Sequence, residues 1–229
     1  MPCHALVLPG GSYRSHAAHE AEPVVEWLEA LGVPASVFRY PVARPHPPAP
    51  AAIGARIAER RREGADRVLA VGFSAGGHAA GLAALGPASS HARPDAVILG
   101  YPVVSLESHS HQGSSEVLLG GRDDSGARSE LSLETLVTPD APPFFIFHSL
   151  DDEKVPADHS LLLSQALRHA RVAHELHLYP VGGHGCALGA PGVEWTAACE
   201  RWLHSGGWVR KRFLVDSEAR LGKSTETGC

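Results

Sequence analysis

Cysteine is scarce in this chain and widely spaced: Cys3, Cys186, Cys199 and Cys229 are the only ones. None forms a C-x-x-C pair, so a zinc knuckle and a dithiol redox motif are excluded. Free thiols in a reducing compartment are the expectation. Blocks of basic charge are lacking as well. Lys+Arg number 20 against 25 Asp+Glu, for a net charge of −5, which leaves nothing for a nucleic acid to bind. The short run Arg60-Arg61-Arg62 fits the solvated face of a helix. No apolar stretch approaches the roughly 20 residues of a membrane span, so no membrane partner is expected. The first residues, Met1-Pro2-Cys3-His4, lack the layout of a secretory signal, and a cytoplasmic location is the expectation. The 15 histidines are scattered. His109 and His111 stand two apart in a Ser-rich loop without partnering Cys or carboxylate, which favours a solvated loop over a metal site.

What is present is a chain of 229 residues with 44% hydrophobic content, suited to one α/β domain with a sizeable core. Apolar runs of strand length alternate with amphipathic stretches. Strands are expected at Ala5–Leu8, Ala35–Tyr40, Arg67–Val71, Asp95–Tyr101, Phe144–His148 and Glu175–Tyr179. Helices are expected at Glu22–Leu31, Ile53–Glu63, Gly77–Leu85, Leu131–Leu136, Ala157–Ala170 and Pro191–Leu203. Pro41–Pro50 is expected to be a loop, and Val103–Pro143 a long irregular stretch with only the short Leu131–Leu136 helix. Such alternation predicts an α/β fold, a mostly parallel central sheet with helices on both faces. Sites in such sheets form at the carboxyl ends of the strands. Residues 1–205 are expected to make this domain, with 206–229 a partly disordered C-terminal extension.

The stretch that organises the rest is Gly72-Phe73-Ser74-Ala75-Gly76, a G-x-S-x-G between a strand and a helix. That context makes a nucleophile elbow, in which a strained Ser needs neighbours without bulk. On these residues alone, an incidental Ser in a glycine-rich turn fits as well. An acyl-transfer serine also needs a base, an acid to orient the base, and oxyanion donors. Each has a candidate after a strand. Asp152 follows the strand ending at His148, and His184 lies in Gly182-Gly183-His184-Gly185 after the last strand. The order Ser74, Asp152, His184 is that of α/β-hydrolases. Asp151 competes with Asp152, but Asp152 has the better spacing to Val155-Pro156, and Asp151 is expected to face elsewhere. Candidate oxyanion donors are the backbone N–H groups of Gly11 and Ser12, after the first strand, and of Ala75, after the nucleophile. Hydrolysis by such a set needs no metal or cofactor.

With these residues in hand, the chain resembles a serine esterase of the α/β-hydrolase superfamily. It is similar to the acetylxylan-esterase-like branch, near the hormone-sensitive-lipase and dienelactone-hydrolase types. The matching residues are Leu6-Val7-Leu8-Pro9-Gly10-Gly11-Ser12-Tyr13, Gly72–His78, Tyr101-Pro102-Val103, Thr138–Pro143, Asp151–Pro156 and Tyr179–Gly185. The resemblance implies hydrolysis of small acyl esters, with acetyl groups on sugars as one substrate class. It also implies two strands before the first one seen here, so the N-terminal strands of the fold look missing and one sheet edge exposed. A monomer or a homodimer is then expected, and a secreted form stays open. Ser12 stands where the family often has a third Gly. Two rivals remain: a peptidase, amidase or thioesterase using the same triad, and a non-catalytic binding protein on this fold.

Overall fold

The computed structural model describes residues 2–108, 110–122 and 124–209. Six strands form one sheet: β1 (Cys3–Leu8), β2 (Ala35–Val37), β3 (Arg67–Phe73), β4 (Ala96–Gly100), β5 (Phe144–Ser149) and β6 (His174–Tyr179). The order across the sheet is β2-β1-β3-β4-β5-β6. Every neighbouring pair is parallel. The short apolar runs thus become strands buried on both faces, as parallel sheets require. After β2 the chain crosses back over β1 to begin β3, and it then adds strands in one direction. The order reverses between β1 and β3, and a crevice opens outside their carboxyl ends. The register Leu8↔Gly72 brings the loop after β1 alongside the turn that follows β3.

Among the described residues, eight α-helices cover the sheet: α1 (Glu22–Ala30), α2 (Pro48–Arg62), α3 (Ala75–Leu85), α4 (Gln112–Leu119), α5 (Ser125–Glu130), α6 (Leu133–Leu136), α7 (Asp158–His169) and α8 (Trp195–Ser205). The sheet's alternation divides the core in two. Leu6, Leu8, Val68, Ala70, Val97, Leu99 and Ile146 pack with Ile53 and Ile57 of α2, the alanines of α3, and Leu163 and Leu167 of α7. Val7, Val71, Phe73, Ile98, Phe145 and Phe147 pack on the other face with Val24 and Leu28 of α1 and Trp195, Cys199 and Leu203 of α8. Among the described residues, no helix is long and apolar enough to cross a membrane.

All six expected strands are present, with shorter bounds for the second. Two expectations fail. The proline stretch is not wholly loop, because α2 begins at Pro48. Prolines in a helix's first turn forfeit N–H groups that have no intrahelical partner anyway, so they start a helix as readily as they end one. The stretch 103–143 is also more ordered than expected. The side chain of His111 caps α4, accepting from Ser114 N–H, and Asp124 caps α5, accepting from Ala127 N–H. Both helices are too short and polar to show a period. Of residues 206–229, only 206–209 are described. Trp208 is buried there, with the Arg67 guanidinium 3.8 Å from its ring centroid. The expected disorder further on, and Cys229, lie outside the described residues, as does His109. Of the described cysteines, Cys186 and Cys199 are free thiols, and the Cys3 thiol donates to Trp208 O at 3.8 Å.

The tightest aromatic contact in the second core is Phe147 of β5 stacked on Trp195 of α8, with centroids 4.2 Å apart and planes 7° off parallel. Both side chains are fully buried. Phe147→Ala should therefore cost about 3–5 kcal/mol of stability, read from the urea midpoint at an unchanged slope.

Candidate active site

Ser74 ends the turn after β3 and precedes α3, with φ 51° and ψ −121°. A non-glycine residue pays for that conformation, and the surroundings must hold it there. They do so through its backbone. Ser74 N–H donates to Gly100 O at 2.9 Å, and Ser74 O accepts from His78 N–H at 3.1 Å and Val103 N–H at 3.2 Å. The close approach of α3 to β1 needs a glycine: a Cβ on Gly76 would lie 2.0 Å from Leu8 O. The turn therefore projects Ser74 Oγ at the carboxyl end of the sheet.

The three candidate side chains meet there. His184 Nε2 is 2.9 Å from Ser74 Oγ, and His184 Nδ1 is 2.7 Å from Asp152 Oδ2. The carboxylate only accepts, so Nδ1 carries the proton and Nε2 is left to accept from the Ser74 hydroxyl. Asp152 has a fully buried side chain. Its Oδ1 accepts from Lys154 N–H and Val155 N–H, each at 2.9 Å. Burial opposes the charge, but hydrogen bonds from His148, His184 and Val155 N–H outweigh it and hold the carboxyl well below the usual range. Asp151 does face elsewhere. It accepts from Gly182 N–H at 3.2 Å and Gly183 N–H at 2.8 Å, which ties the loop carrying His184 to the loop carrying Asp152.

Facing Ser74 is the loop after β1. Gly11, Ser12 and Tyr13 have φ of 130°, 54° and 57°. Three side chains fasten this loop. Tyr40 O–H donates to Pro9 O at 2.9 Å, and Glu20 Oε2 accepts from Gly10 N–H at 2.7 Å. Tyr13 O–H lies 2.8 Å from His78 Nδ1. His78 Nε2 is 2.7 Å from Leu131 O, a pure acceptor, so Nε2 donates there and Nδ1 accepts from Tyr13. The N–H groups of Gly11, Ser12 and Ala75 have no hydrogen-bond partner among the described residues.

Several residues of the site carry no sequence motif. His148, fully buried, donates from Nε2 to Val155 O at 2.8 Å, lies 3.3 Å from Asp152 Oδ2, and takes the Ser160 hydroxyl on Nδ1 at 2.7 Å. His111 is not a solvated loop residue but a half-buried cap at the edge of the site. A Cβ on Gly113 would lie 3.4 Å from its Cε1 and 3.6 Å from Ser12 Cβ, so the start of α4 adjoins the loop after β1. Burial lowers the His111 pKa, and the nearby His184 pushes in the same direction. Among the described residues, no group of three or more His, Cys, Asp or Glu is placed to hold a metal ion.

Known proteins are similar to this chain in sequence and fold. The sequence profile of the prolyl oligopeptidase family matches residues 52–206. A curated relative, endo-1,4-beta-xylanase B of Butyrivibrio fibrisolvens, is 31% identical over 204 residues, which is 80% of this chain and 32% of that protein. The chain therefore spans about a third of that relative's length. The crystal structure of an acetyl ester-xyloside bifunctional hydrolase from Caldicellulosiruptor lactoaceticus matches with a TM-score of 0.82 and 36% identity, covering 92% of this chain and 85% of that one. A carboxylesterase from Lactobacillus plantarum matches with a TM-score of 0.72 and 27% identity, covering 91% and 87%. The fold is that of the α/β-hydrolases.

His78 also makes the site's scaffold sensitive to acid. Burial above all lowers its pKa from 6.5 to about 4, against a raising hydrogen bond to Leu131 O. The unfolded chain binds this proton near 6.5 and the folded chain only near 4, so acid favours unfolding in between. The contribution is intact above 6.5 and is lost as pH falls toward 4, at up to about 1.4 kcal/mol per pH unit. Thermal melts across this range should show the slope, and His78→Gln should flatten it. An undiminished slope would assign it to another group.

Proposed function

The chain belongs to the prolyl oligopeptidase family, and from that membership and the geometry around Ser74 we propose that it is a serine carboxylic-ester hydrolase acting on small acyl esters. The observation that carries this reading is the line from Ser74 Oγ to His184 Nε2 at 2.9 Å and from His184 Nδ1 to Asp152 at 2.7 Å. His184 Nε2 takes the Ser74 proton as Oγ attacks the ester carbonyl carbon. Asp152 keeps the imidazole in the tautomer that accepts, and stabilises the imidazolium that forms. The N–H groups of Gly11, Ser12 and Ala75 receive the charge on the carbonyl oxygen. Their lack of partners among the described residues supports that role, since donors already spent on the protein could not serve it. Collapse of the tetrahedral species breaks the ester C–O bond, and the alcohol departs with the proton from His184. Water, deprotonated by His184, then attacks the acyl-Ser74 and releases the acid. Every step uses groups of this chain.

Two of the relatives support acetylated carbohydrate as the substrate class. They are a hydrolase of acetyl esters and xylosides, and a xylanase. His19, beside Gly185, and His111, beside Gly113 and Ser12, bring polar groups to the edge of the site, which suits a sugar. The family's name supports a second reading, a peptidase with the same triad. A panel of acetylated xylo-oligosaccharides, p-nitrophenyl esters of rising acyl length and peptide p-nitroanilides separates the two. Turnover is expected to be highest on acetyl esters and negligible on the anilides. Faster anilide cleavage would establish the peptidase. In either case Ser74→Ala should lose covalent labelling by a fluorophosphonate, and Asp152→Asn should lower kcat by about 10⁴.

A further inference from the structure

Glu20 is a buried carboxylate that no arginine or lysine among the described residues pairs with. It ends a short 3-10 turn before α1 and is 2% exposed. Leaving an ionised carboxylate in such a place costs stability unless hydrogen bonds replace its water. Its contacts show where the replacement comes from. Oε2 accepts from Gly10 N–H at 2.7 Å, and Oε1 accepts from Tyr101 O–H at 2.8 Å. His19 Nε2, on a largely exposed side chain, lies 3.6 Å from Oε1. Burial first, and then the Glu20 charge, pushes the Tyr101 phenol well above its usual pKa, so it stays a donor.

These partners belong to opposite sides of the candidate active site. Gly10 begins the loop that presents the free N–H groups of Gly11 and Ser12. A Cβ on Gly10 would lie 2.8 Å from Glu20 Oε2 and 2.9 Å from Ser74 Cβ, so no side chain fits at Gly10 between the carboxylate and the serine. Tyr101 follows β4, with φ 35°. Its ring meets the His184 ring edge-on with centroids 5.0 Å apart. Its hydroxyl oxygen accepts from Ala187 N–H at 3.0 Å, three residues beyond His184. One carboxylate thus fastens the loop after β1 with one oxygen, and with the other fastens the tyrosine that backs the His184 ring and anchors the loop after β6.

We infer that Glu20 is a positioning residue for the reaction. It sets the donors of Gly11 and Ser12 against the plane of the His184 imidazole, so that oxyanion hole and general base are aligned to the same reacting carbon. This inference rests on the esterase reading above. Neither the G-x-S-x-G stretch nor the loop residues around His184 contain Glu20, which touches no substrate. Its effect is confined to geometry that matters most in the transition state, where small displacements of donors are felt most.

The experiment compares wild type with Glu20→Gln, Glu20→Ala and Tyr101→Phe on p-nitrophenyl acetate, with active sites counted by a fluorophosphonate and folding followed by thermal melts. Glu20→Ala removes both bonds, and kcat per titrated site should fall by about 10²-fold, the scale of one lost oxyanion donor, with KM changed by less than about threefold. Glu20→Gln keeps an oxygen for one donor and should recover kcat to within about tenfold of wild type. Tyr101→Phe keeps the ring and removes only the hydroxyl, and should fall between them. Should Glu20→Ala not fold, the other two variants decide. A kcat per titrated site equal to wild type in these folded variants, with only the melting temperature or the active fraction lowered, overturns the inference and leaves Glu20 a structural brace. Wild-type protein that hydrolyses no ester would instead overturn the esterase reading itself, so the two failures are distinct.

Discussion

The backbone of Ser74 is the constraint on which the rest depends. Its φ of 51° and ψ of −121° cost of order 1–3 kcal/mol for a side chain with a Cβ. The chain bears that cost because Ser74's amide and carbonyl are both spent on neighbours that cannot easily move: Gly100 at the end of β4, Val103 beyond it, and His78 in the first turn of α3. The same turn brings α3 so close to β1 that only glycine fits at position 76. A relaxed serine would point into the helix it precedes. The strained one points out of the sheet, between the loop after β1 and the loop after β6.

A second constraint is the burial of negative charge without positive partners. Asp152 and Glu20 are both nearly inaccessible, and among the described residues neither is neutralised by an arginine or lysine. Each is solvated by backbone N–H groups and neutral donors, with imidazoles alongside. Amides are fixed by the fold and lose little entropy when they donate, whereas a lysine would bring a flexible stem and a charge that competes with the oxyanion. Carboxylates held this way are levers on the loops whose amides they bind. Removing the carboxylate should then be felt in those loops, because their N–H groups lose the acceptor that fixes them.

Much of this could be seen in the chain itself. The parallel sheet was legible because strands buried on both faces leave uninterrupted apolar runs such as Ala5-Leu6-Val7-Leu8 and Phe144-Phe145-Ile146-Phe147. Ser74, Asp152 and His184 were legible as positions after strands in a known order, and the structure puts them in one hydrogen-bonded line; their roles stay with the proposal. What was not legible has a common cause. Glu20 with Tyr101, Tyr13 with His78, and His111 beside Ser12 join residues 65 to about 100 positions apart. Such pairs leave no local period, and each residue alone is an ordinary polar side chain. Glu20, one of the eight residues between Tyr13 and Glu22 that separate loop from helix, gave no signal of its own. A buried acid there is visible only once β4 brings Tyr101 beside it. Helices α4 and α5 were hidden for another reason: their ends are made by side-chain caps rather than by an amphipathic stripe.

Three imidazoles near the elbow show how the same group is assigned different work by its surroundings. His78 has both nitrogens committed, one to Leu131 O and one to the Tyr13 hydroxyl, and burial keeps it uncharged down to about pH 4. His148 likewise has both nitrogens committed, to Val155 O and Ser160. An imidazole with both nitrogens committed to fixed partners is a strut. His184 differs in a single respect. One nitrogen is tied to a carboxylate that welcomes positive charge, and the other faces a hydroxyl whose proton can leave, on a side chain that remains 14% exposed. Sequence cannot distinguish the three by type. The fold distinguishes them by what each nitrogen meets, and of the three it is His184 whose acceptor nitrogen faces the Ser74 hydroxyl.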